Sequence, residues 1–398
     1  MTTKILGING LGRIGKLHLW HQLVENYFNK YVISLGRTAG ESLEDLLDFL
    51  LVDSTYGHLE RFMYGYTDKR LDVKILDQDK FIVQIGQATI EFLTEERNPK
   101  NIPWADHDVE LVVDCTGVFL DPAADPHAGR GSLKGHLEAG AKKVLLSAPF
   151  KLKDGMPEDS TMVVYGINHD NYQADKHKII SAASCTTTAL SHMMKPLLDN
   201  IDTQRILTAS MSTIHAATNN QNLLDALPKQ GAKDLRKSRS ALNNIILTST
   251  GAAKALEYIL PEIKEIGFMA DSVRIPTNTV SLVALNLTFR SQIKSCGEPK
   301  LTSDFINDIY KQAADKSQKD FLIYSEKQNV SSDLKGFKAS TVIEGVETAT
   351  KTGFLPLPNE EGKLPVTHAK IFGWYDNEFG SYVNSLSNIA RHIHSQMK

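Results

Sequence analysis

Short apolar runs alternate with helix-like stretches through the first half of the chain. Residues 4–9, Lys-Ile-Leu-Gly-Ile-Asn, carry an unbroken apolar stretch, as a strand covered on both faces requires. After a glycine-rich turn, Ile14, Leu17 and Val24 recur at helical spacing. Residues 31–35, 109–114, 143–147 and 178–181 read as further strands, and a doubly wound parallel sheet is the fold they predict. Residues 120–132, rich in Pro, Gly and Asp, read as a surface loop.

Beyond Cys185 the pattern changes. Residues 206–214 and 278–289 are long and β-rich, and in the latter Leu285, Leu287 and Phe289 alternate with Asn286 and Thr288. That alternation predicts an antiparallel or mixed sheet, and so a second domain of α+β type. Val383, Leu386, Ile389, Ala390 and Ile393 then form one helical stripe, suited to a closing helix packed on another element.

Composition narrows the picture. With 398 residues and 41% apolar content, the chain buries a sizeable core, and its length favours two domains. A formal charge of -3 offers no general polycation, so nucleic acid is not the expected primary partner. The three cysteines, Cys115, Cys185 and Cys296, form no CxxC pair and suggest no structural metal site, and a reducing compartment is the simplest reading. The N-terminus runs straight into a strand pattern without the features of a signal peptide, and no apolar run reaches the roughly 18 residues of a membrane span. A soluble, cytoplasmic protein is expected.

Two segments carry chemistry. Gly10-Leu-Gly12-Arg13-Ile14-Gly15 stands between the first strand and the first helix, the context in which GxGxxG binds a dinucleotide. Gly10 permits the tight turn, Gly12 lets a pyrophosphate approach, Gly15 allows close helix–strand packing, and free N–H groups at the helix start hold the phosphates. This makes the first domain Rossmann-type; a plain tight turn is the bland alternative. At the end of the second strand, where an NAD enzyme usually places Asp or Glu, the chain reads Gly36-Arg37-Thr38. An arginine there suits a 2′-phosphate and tilts the choice toward NADP, with NAD still open and a solvated loop arginine as the alternative. In Ser181-Ala-Ala-Ser184-Cys185-Thr186-Thr-Thr188, a lone cysteine sits among small and hydroxylated residues. Such a thiol becomes a nucleophile when a histidine or a helix N-terminus lowers its pKa; an inert buried thiol is the competing reading.

Together with Asp53-Ser-Thr-Tyr-Gly57, Thr213-Ile-His-Ala-Ala-Thr218, Ser249-Thr-Gly-Ala-Ala-Lys-Ala255, Val273-Arg-Ile-Pro-Thr277 and Trp374-Tyr-Asp-Asn-Glu-Phe-Gly380, these segments closely resemble the phosphorylating glyceraldehyde-3-phosphate dehydrogenase family over essentially the whole chain. The resemblance implies residues 1–184 with 377–398 as a Rossmann-type domain binding NAD or NADP, and 185–376 as the catalytic domain. It makes Cys185 the nucleophile and His215 its base. It implies Thr218 and Arg274 as donors to the substrate phosphate, and Ser184, Thr186, Thr250 and Gly251 as donors to the attacking inorganic phosphate. A surface ion pair for Arg274 and a plain helix cap at Thr250-Gly251 are the alternatives. Arg13 and Ile14 are expected along the dinucleotide, Arg97, Thr116, Gly117 and Ser147 near the adenosine half, and Asn377 at the nicotinamide carboxamide. The segment from Gln221 to Arg239, with Lys229, Lys233, Arg236 and Arg239, is similar to a loop exchanged between subunits of a homotetramer; a solvated basic loop is the alternative.

The implied reaction is reversible oxidation of glyceraldehyde 3-phosphate with phosphate and NAD(P)+, in glycolysis or gluconeogenesis, with the direction set by metabolite ratios. The related activity on erythrose 4-phosphate, and a regulator that keeps the fold without the chemistry, are the other readings. Thr188 stands where the family usually has Asn, Ala217 where an aromatic follows His-Ala, and Ser381 where a Tyr is common. Each is expected to open space near the reaction centre. The loops near Thr67, Ala124 and Gly231 are longer than usual for the family.

Overall fold

In a computed structural model, the residues described are 3–127, 129–228, 230–356 and 363–397. The chain divides into two compact units, Met1–Ser184 with Val383–Lys398, and Cys185–Tyr382. The boundary expected at 377 thus falls at 383: residues 377–382 belong to the second unit, and only the closing helix returns to the first.

The first unit is built on a nine-stranded sheet among the described residues. Ile5–Asn9 lies near its middle, between Leu111–Asp114 and Lys30–Ser34, with parallel pairing on both sides. On one side the sheet continues in parallel through Lys143–Leu146, Ile179–Ser181 and Ser160–Met162. On the other it passes through Ala88–Leu93, still parallel, to the antiparallel edge strands Ile82–Ile85 and Val73–Asp77. The central strands are apolar and buried on both faces, which is why they read as unbroken runs. Winding outward in both directions from Ile5–Asn9 places a switch point between that strand and Leu111–Asp114, where open α/β sheets bind ligands.

A buried polar cluster pins this point. Trp104 Nε1–H can only donate, and it does so to His136 Nδ1 at 2.9 Å. The His136 proton therefore sits on Nε2, 3.1 Å from Asp114 Oδ2, which also accepts from Asn9 Nδ2 at 2.9 Å. The other Asp114 oxygen accepts from the backbone N–H and hydroxyl of Thr116, at 3.0 and 2.7 Å, so the cluster shapes the loop that follows the strand. The closing helix Asn384–Ser395 buries its predicted stripe of Leu386, Ile389, Ala390 and Ile393, and meets the helix Arg13–Glu25 through Ser387 Oγ and His18 Nδ1, 3.0 Å apart.

The second unit has a mixed eight-stranded sheet among its described residues. Ile206–Ala216 pairs in parallel with Gly267–Ile275 and antiparallel with Ser281–Arg290, which pairs with Lys363–Tyr375. The strand expected from 278 begins at Ser281, because Val280 adopts a left-handed backbone (φ 63°) that interrupts the extended run. The helix Cys185–Asp199 packs closely on Lys363–Tyr375: a Cβ at Gly373 would lie 2.4 Å from Met193 Sδ, so any larger residue there would have to displace that side chain. Among the described residues, no helix is long and apolar enough to cross a membrane.

Candidate active site

Cys185 is the first residue of a 15-residue helix that follows a tight turn from the strand Ile179–Ser181. Ala183 takes the left-handed conformation (φ 55°), costly for a residue with a Cβ, and Ser181 holds the turn: its hydroxyl accepts from Ala183 N at 3.1 Å and donates to Ala148 O at 2.7 Å. The sulfur therefore sits at the positive end of the helix dipole.

Its partner comes from the sheet. His215, near the end of Ile206–Ala216, places Nε2 3.5 Å from Cys185 Sγ. Arg274 lies beside His215 because the two are in register on neighbouring parallel strands. The Arg274 guanidinium touches His215 Nδ1 and donates to Ala216 O at 3.0 Å, while Nδ1 itself is 2.8 Å from Ala216 O. Burial, then the Arg274 charge, pushes the His215 pKa down to about 3, so the ring is neutral at physiological pH. Burial raises the Cys185 thiol, opposed by Arg274 and by hydrogen bonding from Thr186. Burial also lowers Arg274, against the attraction of Cys185 and Tyr375.

Tyr375 is a site residue that motif reading left without a role. Its buried hydroxyl meets Thr186 Oγ1 at 3.0 Å and Thr213 Oγ1 at 2.7 Å, tying the helix that begins at Cys185 to the strand that carries His215. Its ring stands edge-on to His215, with centroids 6.0 Å apart. The signal was present as the residue after Trp374, but the two threonines it joins lie far away in sequence. Ser281 is a second omission, with no local signature at all. It accepts from Ala216 N at 3.1 Å and donates to Asn377 Oδ1 at 2.9 Å.

The other expected phosphate donors are placed less tightly. Thr186 is buried with its hydroxyl engaged by Tyr375. Thr218 bonds Gln221 Oε1 through both N–H and hydroxyl, at 2.9 and 3.1 Å. Thr250 Oγ1 accepts from Ala252 N at 3.2 Å just ahead of the helix Ala252–Ile259, whose N-cap, Gly251, is exposed. Among the described residues, no hydrogen bond joins Thr218, Thr250 or Gly251 to Cys185, His215 or Arg274. Ser184 directly precedes Cys185 and ends the first unit. Of the departures from the family pattern, Thr188 and Ser381 are both fully buried, Ser381 donating to Ser340 O at 2.9 Å, and Ala217 is partly exposed. A cavity of about 950 Å³ lined by Lys311, Tyr324, Glu326 and Phe337 contains none of these residues.

In the first unit the glycine turn has the shape a pyrophosphate needs. Gly10 is left-handed (φ 91°), and a Cβ on Gly15 would lie 2.0 Å from Gly10 O, while a Cβ on Gly12 would meet nothing within 4 Å. The helix Arg13–Glu25 has no side-chain cap, and an uncapped helix start of this kind is where an anion is received. Arg13 is held at this end by Asp53, which also accepts from Lys16 Nζ at 3.2 Å and from the backbone of Thr55 and Tyr56 at 2.9 and 3.1 Å. The Asp53-Ser-Thr-Tyr-Gly57 motif thus positions an expected cofactor residue. Ile14 is half-buried in the same turn. Thr116 and Gly117 follow the strand Leu111–Asp114, and Ser147, whose N–H donates to Asp114 O at 2.9 Å, follows Lys143–Leu146. Arg97 Nε donates to Gly36 O at 2.7 Å and so borders the turn that presents exposed Arg37. This donor set fits a dinucleotide.

Comparison with known proteins agrees with this geometry. Residues 4–122 match the family model described as the glyceraldehyde 3-phosphate dehydrogenase NAD binding domain, and residues 184–377 match the C-terminal domain of the same family. The chain is 35% identical over 393 residues to glyceraldehyde-3-phosphate dehydrogenase 1 of Bacillus subtilis, covering 99% of this chain and 98% of that protein. It is 36% identical over 393 residues to glyceraldehyde-3-phosphate dehydrogenase of Priestia megaterium, with the same coverage. With its Streptomyces coelicolor counterpart the figure is 35% over 399 residues, covering both chains in full. Two matched domains and similarity along the whole length place this chain in the glyceraldehyde-3-phosphate dehydrogenase family.

Proposed function

We propose that the chain is a phosphorylating glyceraldehyde-3-phosphate dehydrogenase, with Cys185 as nucleophile and His215 as general base. The observation that carries this reading is the 3.5 Å approach of Cys185 Sγ to the Nε2 of a neutral histidine, with Arg274 beside it. Cys185 Sγ bonds to the aldehyde carbon, and the carbonyl oxygen takes a proton to give a hemithioacetal. A bound nicotinamide dinucleotide supplies the hydride acceptor. His215 Nε2 takes the hydroxyl proton as the carbon loses hydride, leaving a thioester on Cys185. An oxygen of inorganic phosphate then bonds to the thioester carbon, the C–S bond breaks, and Cys185 leaves as thiolate while the acyl phosphate departs.

Arg274 serves the substrate phosphate, for which a guanidinium fork is suited. Ser184, Thr186, Thr218, Thr250 and Gly251 supply the remaining phosphate donors on this reading. Gly10, Gly12, Arg13, Ile14 and Gly15 hold the pyrophosphate, with Arg97, Thr116, Gly117 and Ser147 toward the adenosine and Asn377 toward the nicotinamide. Cofactor reduction followed at 340 nm, with and without phosphate, tests the whole. Phosphate-dependent turnover of glyceraldehyde 3-phosphate is expected; phosphate-independent turnover of erythrose 4-phosphate would replace this reading with the related activity. No turnover with either aldehyde would favour a non-catalytic regulator.

NADP is the cofactor favoured by Arg37. Its guanidinium is exposed and, among the described residues, makes no ion pair, and the residues directly after the strand Lys30–Ser34, Leu35-Gly36-Arg37-Thr38, include no carboxylate. Replacing Arg37 with aspartate is expected to move the kcat/KM ratio of NADP over NAD at least tenfold toward NAD, because a carboxylate repels a 2′-phosphate and accepts from ribose hydroxyls. An unchanged ratio would remove Arg37 from cofactor choice.

A homotetramer is the expected assembly. In the segment from Gln221 to Arg239, Leu223, Leu224, Leu227 and Leu235 are between 61% and 94% exposed, more apolar surface than a solvated loop needs. The basic side chains are partly neutralised within the segment itself, Arg236 by Asp234 and Arg239 by Asp225; Lys229 lies outside the described residues. Sedimentation equilibrium is expected to give four chains, and a Leu227→Asp/Leu235→Asp double variant a smaller species. A wild-type monomer would contradict the assignment.

A further inference from the structure

Ser281 stands where two ladders of the second unit run out. Its strand pairs with Ile206–Ala216 as far as Ile214 opposite Leu282, and with Lys363–Tyr375 from Ser281 opposite Tyr375. Past the last pair, the Ala216 N–H has no carbonyl in register and donates to Ser281 Oγ at 3.1 Å. A backbone N–H can only donate, so the oxygen is the acceptor there. The hydroxyl proton goes to Asn377 Oδ1 at 2.9 Å.

This bond anchors the Asn377 amide in a buried position. With Oδ1 engaged by Ser281, Nδ2 is turned away, and among the described residues it has no hydrogen-bond partner. The backbone around it is equally fixed. Asp376 Oδ1 accepts from Thr279 Oγ1, Glu378 N and Phe379 N at 3.0, 3.2 and 3.1 Å, and Oδ2 accepts from Gly336 N at 2.7 Å. Asn377 and Ser281 are 3% and 1% exposed, so neither rotates freely.

We propose that Ser281 is a positioning residue that holds the Asn377 amide in place to meet the carboxamide of nicotinamide. This rests on the reading above that Asn377 serves the nicotinamide. The same hydroxyl anchors Ala216, next to His215, so one oxygen holds both the Asn377 side chain and the end of the His215 strand. Without it, the amide loses its hydrogen-bonded anchor and turns more freely.

The test is calorimetric binding to the purified full-length protein. The ligands are the preferred dinucleotide and its ADP-ribose fragment, which lacks the nicotinamide. Ser281→Ala is expected to weaken dinucleotide binding about tenfold, the scale of one well-placed hydrogen bond, while fragment binding changes less than twofold. Ser281→Thr, which keeps the hydroxyl, is expected to recover most of the loss. Retained fragment binding shows the alanine variant is folded; equal loss for both ligands means a merely structural role and overturns the proposal. So does unchanged dinucleotide binding in Ser281→Ala when Asn377→Ala is selectively weakened. If Asn377→Ala itself leaves dinucleotide binding unchanged, the assignment of Asn377 to the nicotinamide fails instead, and the proposal with it.

Discussion

Replacing His215 with asparagine is expected to lower kcat for glyceraldehyde 3-phosphate by roughly 10²–10⁴-fold, the usual contribution of a positioned base. The variant removes the nitrogen 3.5 Å from Cys185 Sγ, and no other base is bonded to that sulfur among the described residues. The loss should fall on kcat more than on KM, since the phosphate donors are untouched. In the wild type, the Cys185 thiol is raised above its ordinary value by burial, so the thiolate fraction grows with pH and kcat/KM should climb from neutral into mildly alkaline solution. His215 is already neutral throughout that range, its pKa being pushed down to about 3 by burial and Arg274. Stopped-flow measurement of the first turnover checks both points. A variant within tenfold of wild type, or a profile that falls above pH 7, would count against His215 as the base.

Replacing Arg274 with leucine should act on a different quantity. Losing a buried charge-assisted partner of a bound anion costs about 2–5 kcal/mol, so kcat/KM for the phosphorylated aldehyde is expected to drop roughly 30- to 4,000-fold. Glyceraldehyde, which lacks the phosphate, should change only a few-fold, and the ratio between the two substrates is the readout. Arg274 also shapes the base. Ala216 O can only accept and favours the proton on His215 Nδ1, leaving the Nε2 lone pair facing sulfur, whereas the guanidinium at Nδ1 can only donate and favours the opposite tautomer. On the proposed reading, a phosphate that draws Arg274 away would release the ring to the first arrangement. Equal losses for both aldehydes would show that Arg274 supports the fold or the base and not the phosphate.

Several parts of the fold were legible because they are local. The apolar runs at 5–9, 30–34, 111–114 and 143–146 became the parallel core, since a strand covered on both faces has no need of polar alternation. The GxGxxG turn and the stripe from Leu386 to Ile393 were equally readable, one from glycine stereochemistry and the other from helical period. The start of the strand at Ser281 was not, because Val280 turns left-handed where Thr279 is bound to Asp376, a partner 97 positions away. The roles of Tyr375 and Ser281 were hidden for the same reason.

The amino-acid order alone established the inventory: a cysteine at a strand–helix junction, a histidine at the end of a β-rich segment, an arginine in a shared motif, a glycine turn, and the alternation that separates one sheet type from the other. These follow from covalent structure and from the period of burial along the chain. Tertiary structure decided what each group meets. Thr186 and Tyr375 are 189 positions apart, Cys185 and His215 are 30 apart, and Ser281 and Asn377 are 96 apart. Protonation, amide orientation and tautomer depend on those neighbours, because hydrogen bonding and Coulomb attraction act over a few ångströms of space and take no account of distance along the chain.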